Sequence, residues 1–135
     1  MALADELKQV PLFADLDQRQ LRNLAKSFRE RLYEPGGTVV REGQMSGVGF
    51  FTVSEGEAEV TIDGRRVQTL GPGDAFGELA LISQRERVAT VTAITRLRCL
   101  EIPLWDFKEF AHKNPDVMWK LLEQVVAMLA PQQRD

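Results

Sequence analysis

Cysteine and histidine occur once each in the 135 residues, as Cys99 and His112. A single cysteine excludes a disulfide within the chain and fits a reducing compartment. A lone histidine cannot build a metal cluster, and His112 reads as a solvent-facing residue near a helix end. No apolar run approaches the ~20 residues needed to span a bilayer, so no membrane segment is expected. Met1-Ala2-Leu3-Ala4 runs straight into Asp5-Glu6, which does not read as a secretory leader. Basic residues do not outnumber acidic ones: 17 against 20, for a net charge of −3. The chain therefore has no general attraction for nucleic acid or an anionic membrane, and any anion must be held locally, in a defined pocket. Catalytic signatures are also missing: no GxSxG elbow, no P-loop, no paired metal-ligand spacing and no nucleophile with a second histidine. The expectation is a cytoplasmic binding module, not an enzyme, with no cofactor and no metal.

What is present is an ordinary globular composition, 44% hydrophobic and 27% charged. It suffices for one domain over 1–135 that buries roughly two-thirds of its unfolded surface. Residues 2–9 read as a short helix stopped by Val10-Pro11, with Leu12 and Phe13 as docking residues. Asp17 is the expected N-cap of a second helix over 17–27, whose apolar face is Leu16, Leu21 and Leu24. Arg19, Arg22, Lys26 and Arg29 fall on its solvated side. From residue 29 the pattern becomes extended. Strands are expected at Arg29–Tyr33, Thr38–Arg41, Val48–Val53, Glu57–Ile62, Arg65–Leu70, Val88–Ala93 and Leu97–Ile102. Turn signals separate them, and Asp63-Gly64 marks a tight hairpin. Many short strands at this spacing argue for a sandwich or barrel-like roll over 29–102. The helical period returns over 103–130. Trp105, Phe107 and Phe110 read as core, and Cys99 as a small buried hydrophobe. The last helix, 115–130, is more apolar than one buried face requires: Val117, Met118, Leu121, Leu122, Val125, Val126, Met128 and Leu129. Trp119 beside Met118 either packs on the roll or sits in a dimer seam.

One stretch stands apart, GPGDAFGELALISQRERVATVTA from Gly71 to Ala93. A turn, Gly71-Pro72-Gly73-Asp74, leads to Phe76 and Gly77, then to the short apolar segment Glu78-Leu79-Ala80-Leu81. Gly77 lets backbone approach a ligand, and free N–H groups at the start of a helical turn attract an anion. Arg87 offers a planar, permanently charged fork suited to phosphate. Glu78 can accept hydrogen bonds from hydroxyls. Together they suit a molecule with one phosphate and a sugar hydroxyl.

The order of helices, roll, Phe76-Gly77-Glu78-Leu79-Ala80-Leu81, five residues, Arg87-Val88-Ala89-Thr90, strands and two helices resembles the cyclic nucleotide-binding domain family, of the catabolite activator protein and cyclic-AMP-dependent kinase regulatory subunit type. Val39-Val40-Arg41-Glu42-Gly43 ahead of Phe50-Phe51-Thr52-Val53 and Gly56 is similar to the family's upstream glycine pattern. The resemblance covers about residues 7–130. It implies a mainly β α+β fold: an antiparallel, jelly-roll-like β-roll with short N-terminal helices, a short phosphate-binding helix within the roll and two C-terminal helices. It also implies that Glu78 holds the ribose 2′-hydroxyl and that Arg87 clamps the cyclic phosphate. Backbone donors around Gly77, Ala80 and Ala89 assist, and Thr90 is a further hydroxyl for the phosphate. Phe76, Leu79 and Val88 complete the cassette. Val60 and Leu70 wall the base, and the final helix is a lid through Val125 or Leu129, or Gln132 or Gln133. Val88 replaces the threonine that favours cyclic GMP, so cyclic AMP is the expected ligand. Glu86 stands where many members carry proline, beside the arginine whose charge it can engage.

Binding is expected to signal by movement of the C-terminal helices to an effector that the sequence does not identify. In DNA-binding relatives a helix-turn-helix follows the last helix. Here Ala130-Pro131-Gln132-Gln133-Arg134-Asp135 follow, so no nucleic acid partner is expected for this chain. Two other readings stay open: a member of the fold that binds no ligand and forms a homodimer or interaction module through helix 115–130, and a fragment of a larger regulated protein.

Overall fold

The computed structural model describes residues 3–43, 49–77 and 89–129, with side chains as far as 127. These residues form two compact units, Met1–Ser27 with Asp106–Asp135, and Phe28–Trp105.

The second unit is the roll. Among the described residues its strands are β1 (Arg29–Tyr33), β2 (Thr38–Val40), β3 (Gly49–Glu55), β4 (Ala58–Ile62), β5 (Arg65–Leu70), β6 (Ala75–Phe76), β7 (Thr90–Ala93) and β8 (Leu97–Pro103). They pair antiparallel in two four-stranded sheets, in the orders β1-β8-β3-β6 and β2-β7-β4-β5. The mainly β, two-sheet roll anticipated from the sequence is what the chain forms, with β1 and β5 bounded as expected. Period-2 alternation explains the core. Phe51 and Val53 of β3, Ala58 of β4, Leu70 of β5, Val91 and Ala93 of β7, and Leu97 and Cys99 of β8 form one buried cluster with Val40 of β2. The opposite face of β3 is also covered, and there Phe50 meets Phe28 edge to face, with centroids 6.5 Å apart.

Turn chemistry closes the sheets. The β4–β5 hairpin turns at Asp63 and Gly64 with φ of 52° and 79°, the positive pair required by a tight two-residue turn. At Gly56, between β3 and β4, φ is +88° and an added Cβ would lie 2.0 Å from the Arg96 carbonyl oxygen. No side chain fits there, which accounts physically for a glycine at that point of the pattern. β3 carries a bulge against β8 between Val53 and Glu55.

The helical unit contains α1 (Leu3–Lys8), a 3₁₀ turn (Pro11–Phe13), α2 (Gln18–Ala25), residues 106–113 of α3 (Leu104–Lys113) and α4 (Pro115–Leu129). Asp17 caps α2 as expected. Its carboxylate accepts from the Gln20 N–H at 2.8 Å while the Gln20 side chain accepts from the Asp17 N–H at 3.0 Å, a capping box. Lys8 donates to the carbonyls of Ala14 and Leu16, fixing the turn into α2. Leu16, Leu21 and Leu24 are buried, as are Leu12 and Phe13.

Three departures from the sequence reading have physical causes. β6 was not anticipated, because two residues carry no period. β7 begins at Thr90, with Ala89 in a bend before it. Trp105 is 78% exposed instead of lying in the core, whereas Phe107 and Phe110 are buried. At 100° per residue, Trp105 is turned about 200° from Phe107 and faces away from the stripe the two phenylalanines share.

Candidate functional site

The turn that opens the cassette is fixed to the centre of the first sheet. Gly71 N–H donates to the Asp74 carboxylate at 2.8 Å, and Asp74 N–H to the Gly71 carbonyl at 3.0 Å. Val53 N–H donates to the Asp74 carbonyl at 2.8 Å, and Gly73 N–H to the Val53 carbonyl at 3.0 Å. This double tie delivers Ala75 and Phe76 to β3, where Phe76 pairs with Phe51 and their rings stack at 4.8 Å, 2° from parallel. Phe76 thereby packs on the roll core. Gly77 follows with φ of 94°, in the left-handed region that favours glycine, so the chain changes direction at this point.

Glu78, Leu79, Ala80, Arg87 and Val88, with Glu86 and the expected short helix, lie outside the described residues. The chain is described again from Ala89, partly buried, and Thr90, the first residue of β7. β6 belongs to the first sheet and β7 to the second, so the two described ends of the cassette stand on different sheets. The Thr90 hydroxyl accepts from the Glu42 N–H at 3.0 Å. A hydroxyl keeps its own proton for donation when it accepts in this way.

Of the residues expected to wall the base, Val60 is partly buried and packs against the roll core, while Leu70 is a full member of that core. The roll thus gathers Phe76, Val60 and Leu70 around one apolar cluster. Val125 sits on α4 in the helical unit, partly buried. Leu129 is the last described residue of α4, and Gln132 and Gln133 lie outside the described residues.

Sequence reasoning missed Glu42. Besides its bond to Thr90, its carboxylate accepts from the Asp63 N–H at 3.1 Å. No local pattern signals such a contact, because the partners are 48 and 21 positions away.

Several charges elsewhere in the described roll are paired: Arg31 with Glu101, Arg66 with Glu59, Arg96 with Glu34 and Arg98 with Glu30. Arg31 Nε donates to the buried Glu101 carboxylate at 2.7 Å, and that bond raises the arginine above its ordinary range. Burial raises the nearby Tyr33 phenol, with the Cys99 thiol adding to the effect. Burial, reinforced by Glu101, pushes the Cys99 thiol up to about 12. Cys99 is therefore a neutral, inert core residue. The helical unit carries a cleft of about 290 Å³ lined in part by Lys26, Lys113, Asp106 and Glu109. Its two lysines and two carboxylates offset each other, so it gives a phosphate no net attraction. Among the described residues no group of three or more His, Cys, Asp or Glu is placed to hold a metal ion, and no helix is long and apolar enough to cross a membrane.

Comparison with known proteins adds to this geometry. The family model described as cyclic nucleotide-binding domain matches residues 30–114. The chain is 45% identical over 94 residues to the cAMP-dependent protein kinase regulatory subunit of Yarrowia lipolytica, an alignment covering 68% of this chain and 25% of that one. The chain spans about a quarter of the length of that relative. Among solved structures it is similar to the N-terminal domain of a transcriptional regulator from Streptomyces coelicolor A3(2). There the TM-score is 0.87 at 30% identity, covering 95% of this chain and 92% of that one. It is also similar to the regulatory domain of Toxoplasma gondii PKA crystallised with cAMP, with a TM-score of 0.74 at 27% identity, covering 90% and 49% of the two chains. Matched over more than half its length by the family model, and folded as the roll with flanking helices that the cassette motif implied, this chain belongs to the cyclic nucleotide-binding domain family.

Proposed function

We propose that the chain is a regulatory sensor domain that binds cyclic AMP. The observation that carries this reading is the cassette itself: Phe76-Gly77-Glu78-Leu79-Ala80-Leu81 and Arg87-Val88-Ala89-Thr90 lie on the chain from the end of β6 to the start of β7, in a roll whose apolar cluster includes Leu70 and supports Val60 and Phe76. In this reading Arg87 holds the cyclic phosphate, Glu78 the ribose 2′-hydroxyl, and Thr90 donates its remaining proton to a phosphate oxygen. Backbone donors around Gly77, Ala80 and Ala89 assist, with Leu79 and Val88 lining the cassette. The base lies against Val60 and Leu70. Val88 offers no hydroxyl to a guanine amino group, which favours adenine. Binding then shifts the C-terminal helices, and a separate effector or a further region of a longer protein reads that shift. Crystals of relatives with cAMP bound, including that of the Toxoplasma gondii regulatory domain, support this choice of ligand. The chemistry is recognition alone, in a cytoplasmic setting.

Calorimetric titration with cyclic AMP and cyclic GMP tests the reading. Saturable binding of cyclic AMP is expected, tighter than that of cyclic GMP. Arg87→Ala should weaken it by roughly 1.5–3 kcal/mol, the range for hydrogen bonds to charged groups. Equal affinity of the mutant and the parent would remove Arg87 from the pocket.

A second reading is favoured by a specific feature of α4. Trp119, Leu122 and Val126 are 64%, 51% and 58% exposed and share a helical stripe. A homodimer or interaction module built on that stripe would show concentration-dependent association with no response to nucleotide.

A further inference from the structure

We propose that Glu42 is a positioning residue for the nucleotide site, holding the β4–β5 hairpin and the Thr90 hydroxyl in fixed relation. The inference rests on the cyclic AMP reading above and deepens it. Three segments distant in sequence meet at this residue. The described β2–β7 pairing ends at Val40, and two residues further on the Glu42 N–H donates to Thr90 Oγ1 at 3.0 Å. From the same residue, carboxylate Oε1 accepts from the Asp63 N–H at 3.1 Å, at the tip of the hairpin. Main chain and side chain of one residue thus join the end of β2, the start of β7 and the turn between β4 and β5.

Each bond has a chemical consequence for a ligand. An amide N–H only donates, so it occupies an acceptor position of the Thr90 hydroxyl and directs the hydroxyl proton elsewhere. Thr90 closes the Arg87-Val88-Ala89-Thr90 part of the cassette, and that proton is its means of meeting an anion. The second bond restrains the hairpin tip. The pairing of β4 with β7 ends at Thr61, so the hairpin tip projects beyond it, and β5 is an edge strand, exposed from Arg65 through Thr69. Val60 lies on β4 two residues before Ile62, whose partner Arg65 closes the turn. Fixing the tip at Asp63 fixes the wall against which a base would lie. Glu42 therefore serves the base side through its carboxylate and the phosphate side through its backbone. A mere surface staple would add stability without distinguishing the two.

The test is a titration of the full chain and three variants with cyclic AMP and with ribose 3′,5′-cyclic phosphate lacking a base, alongside the unfolding midpoint of each unliganded protein. Glu42→Ala should weaken cyclic AMP about fivefold, the effect of one net hydrogen bond, and change the base-free ligand less than about twofold. Glu42→Gln keeps an acceptor for the Asp63 N–H and should restore most of the loss. Thr90→Val removes the hydroxyl and should weaken both ligands by about fivefold or more. Parental affinity of Glu42→Ala for both ligands overturns the proposal. So does an equal loss for both that tracks a lowered unfolding midpoint, or a Gln variant as weak as Ala. If the parent binds neither ligand, the cyclic AMP reading itself fails, and Glu42 loses its role with it.

Discussion

Cys99 is fully buried on β8, paired with Arg31 of β1 and Val53 of β3, and its thiol is pushed up to about 12 from an ordinary 9.0. Burial is the main cause, since a thiolate there would lose its hydration, and the Glu101 carboxylate adds repulsion. The sign of the effect follows from proton counts. Between pH 9 and 12 the unfolded chain has released the thiol proton while the folded chain still holds it, so stability falls as pH rises. The contribution is complete below pH 9 and is lost as pH approaches about 12. Tyr33, raised above 10.0 by burial, acts in the same direction. The melting midpoint should therefore drop progressively above pH 9, and Cys99→Val should flatten that drop without removing it. A parental midpoint constant from pH 8 to 11 would contradict the burial argument.

Gln20 does more than complete the cap of α2. Its Oε1 accepts from the Asp17 N–H at 3.0 Å and from Lys120 Nζ at 2.8 Å, while its Nε2 donates to Asp116 at 2.9 Å. One side chain thus joins the start of α2 to the first turns of α4. Gln20→Ala should lower unfolding stability by about 1 kcal/mol, as loss of a cap does, and by more than Asp17→Ala if the α4 bonds matter. Urea unfolding followed by far-ultraviolet circular dichroism measures both. Equal values for the two variants would mean that the bonds to Lys120 and Asp116 contribute nothing. The N-cap was readable in advance from Asp17, but the Gln20 half of the capping box and the link to α4 were not, the latter because its partners lie 96 and 100 positions away. The same division holds across the fold. Strands bounded by strong turn signals, such as β1 ahead of Pro35-Gly36-Gly37 and β5 between Asp63-Gly64 and Gly71-Pro72, were legible to the residue. β6 and the face taken by Trp105 were not, because a two-residue strand has no period and an aromatic pair two positions apart cannot share a helix face. In the site, the Phe76-Gly77 entry and the position of Thr90 were legible as motif. The Phe76 stack on Phe51 and the contacts of Glu42 depend on which strands become neighbours.

Two compact units in one chain raise the question of what a nucleotide would stabilise. A ligand that binds only the folded state adds RT ln(1 + [L]/Kd), about 2.7 kcal/mol at one hundred times Kd. For a chain of this length, unfolding as one cooperative body, that corresponds to a rise in Tm of about 10 °C. If only the roll responded and the two units unfolded independently, a scan would show two transitions and only one would move. Signalling through the C-terminal helices requires energetic coupling between the helical unit and the ligand site, because a ligand shifts an equilibrium only by its differential affinity for the two states. The expected outcome is therefore a single transition, raised by about 10 °C at one hundred times Kd of cyclic AMP. Arg87→Ala at the same ligand concentration should show a much smaller rise. Scanning calorimetry follows the whole chain, while circular dichroism at 222 nm reports helix and fluorescence in a Trp105→Phe background, where Trp119 is the one remaining tryptophan, reports α4. A transition of α4 left in place while the rest of the chain rises would confine nucleotide binding to the roll and exclude the C-terminal helices as the signalling element.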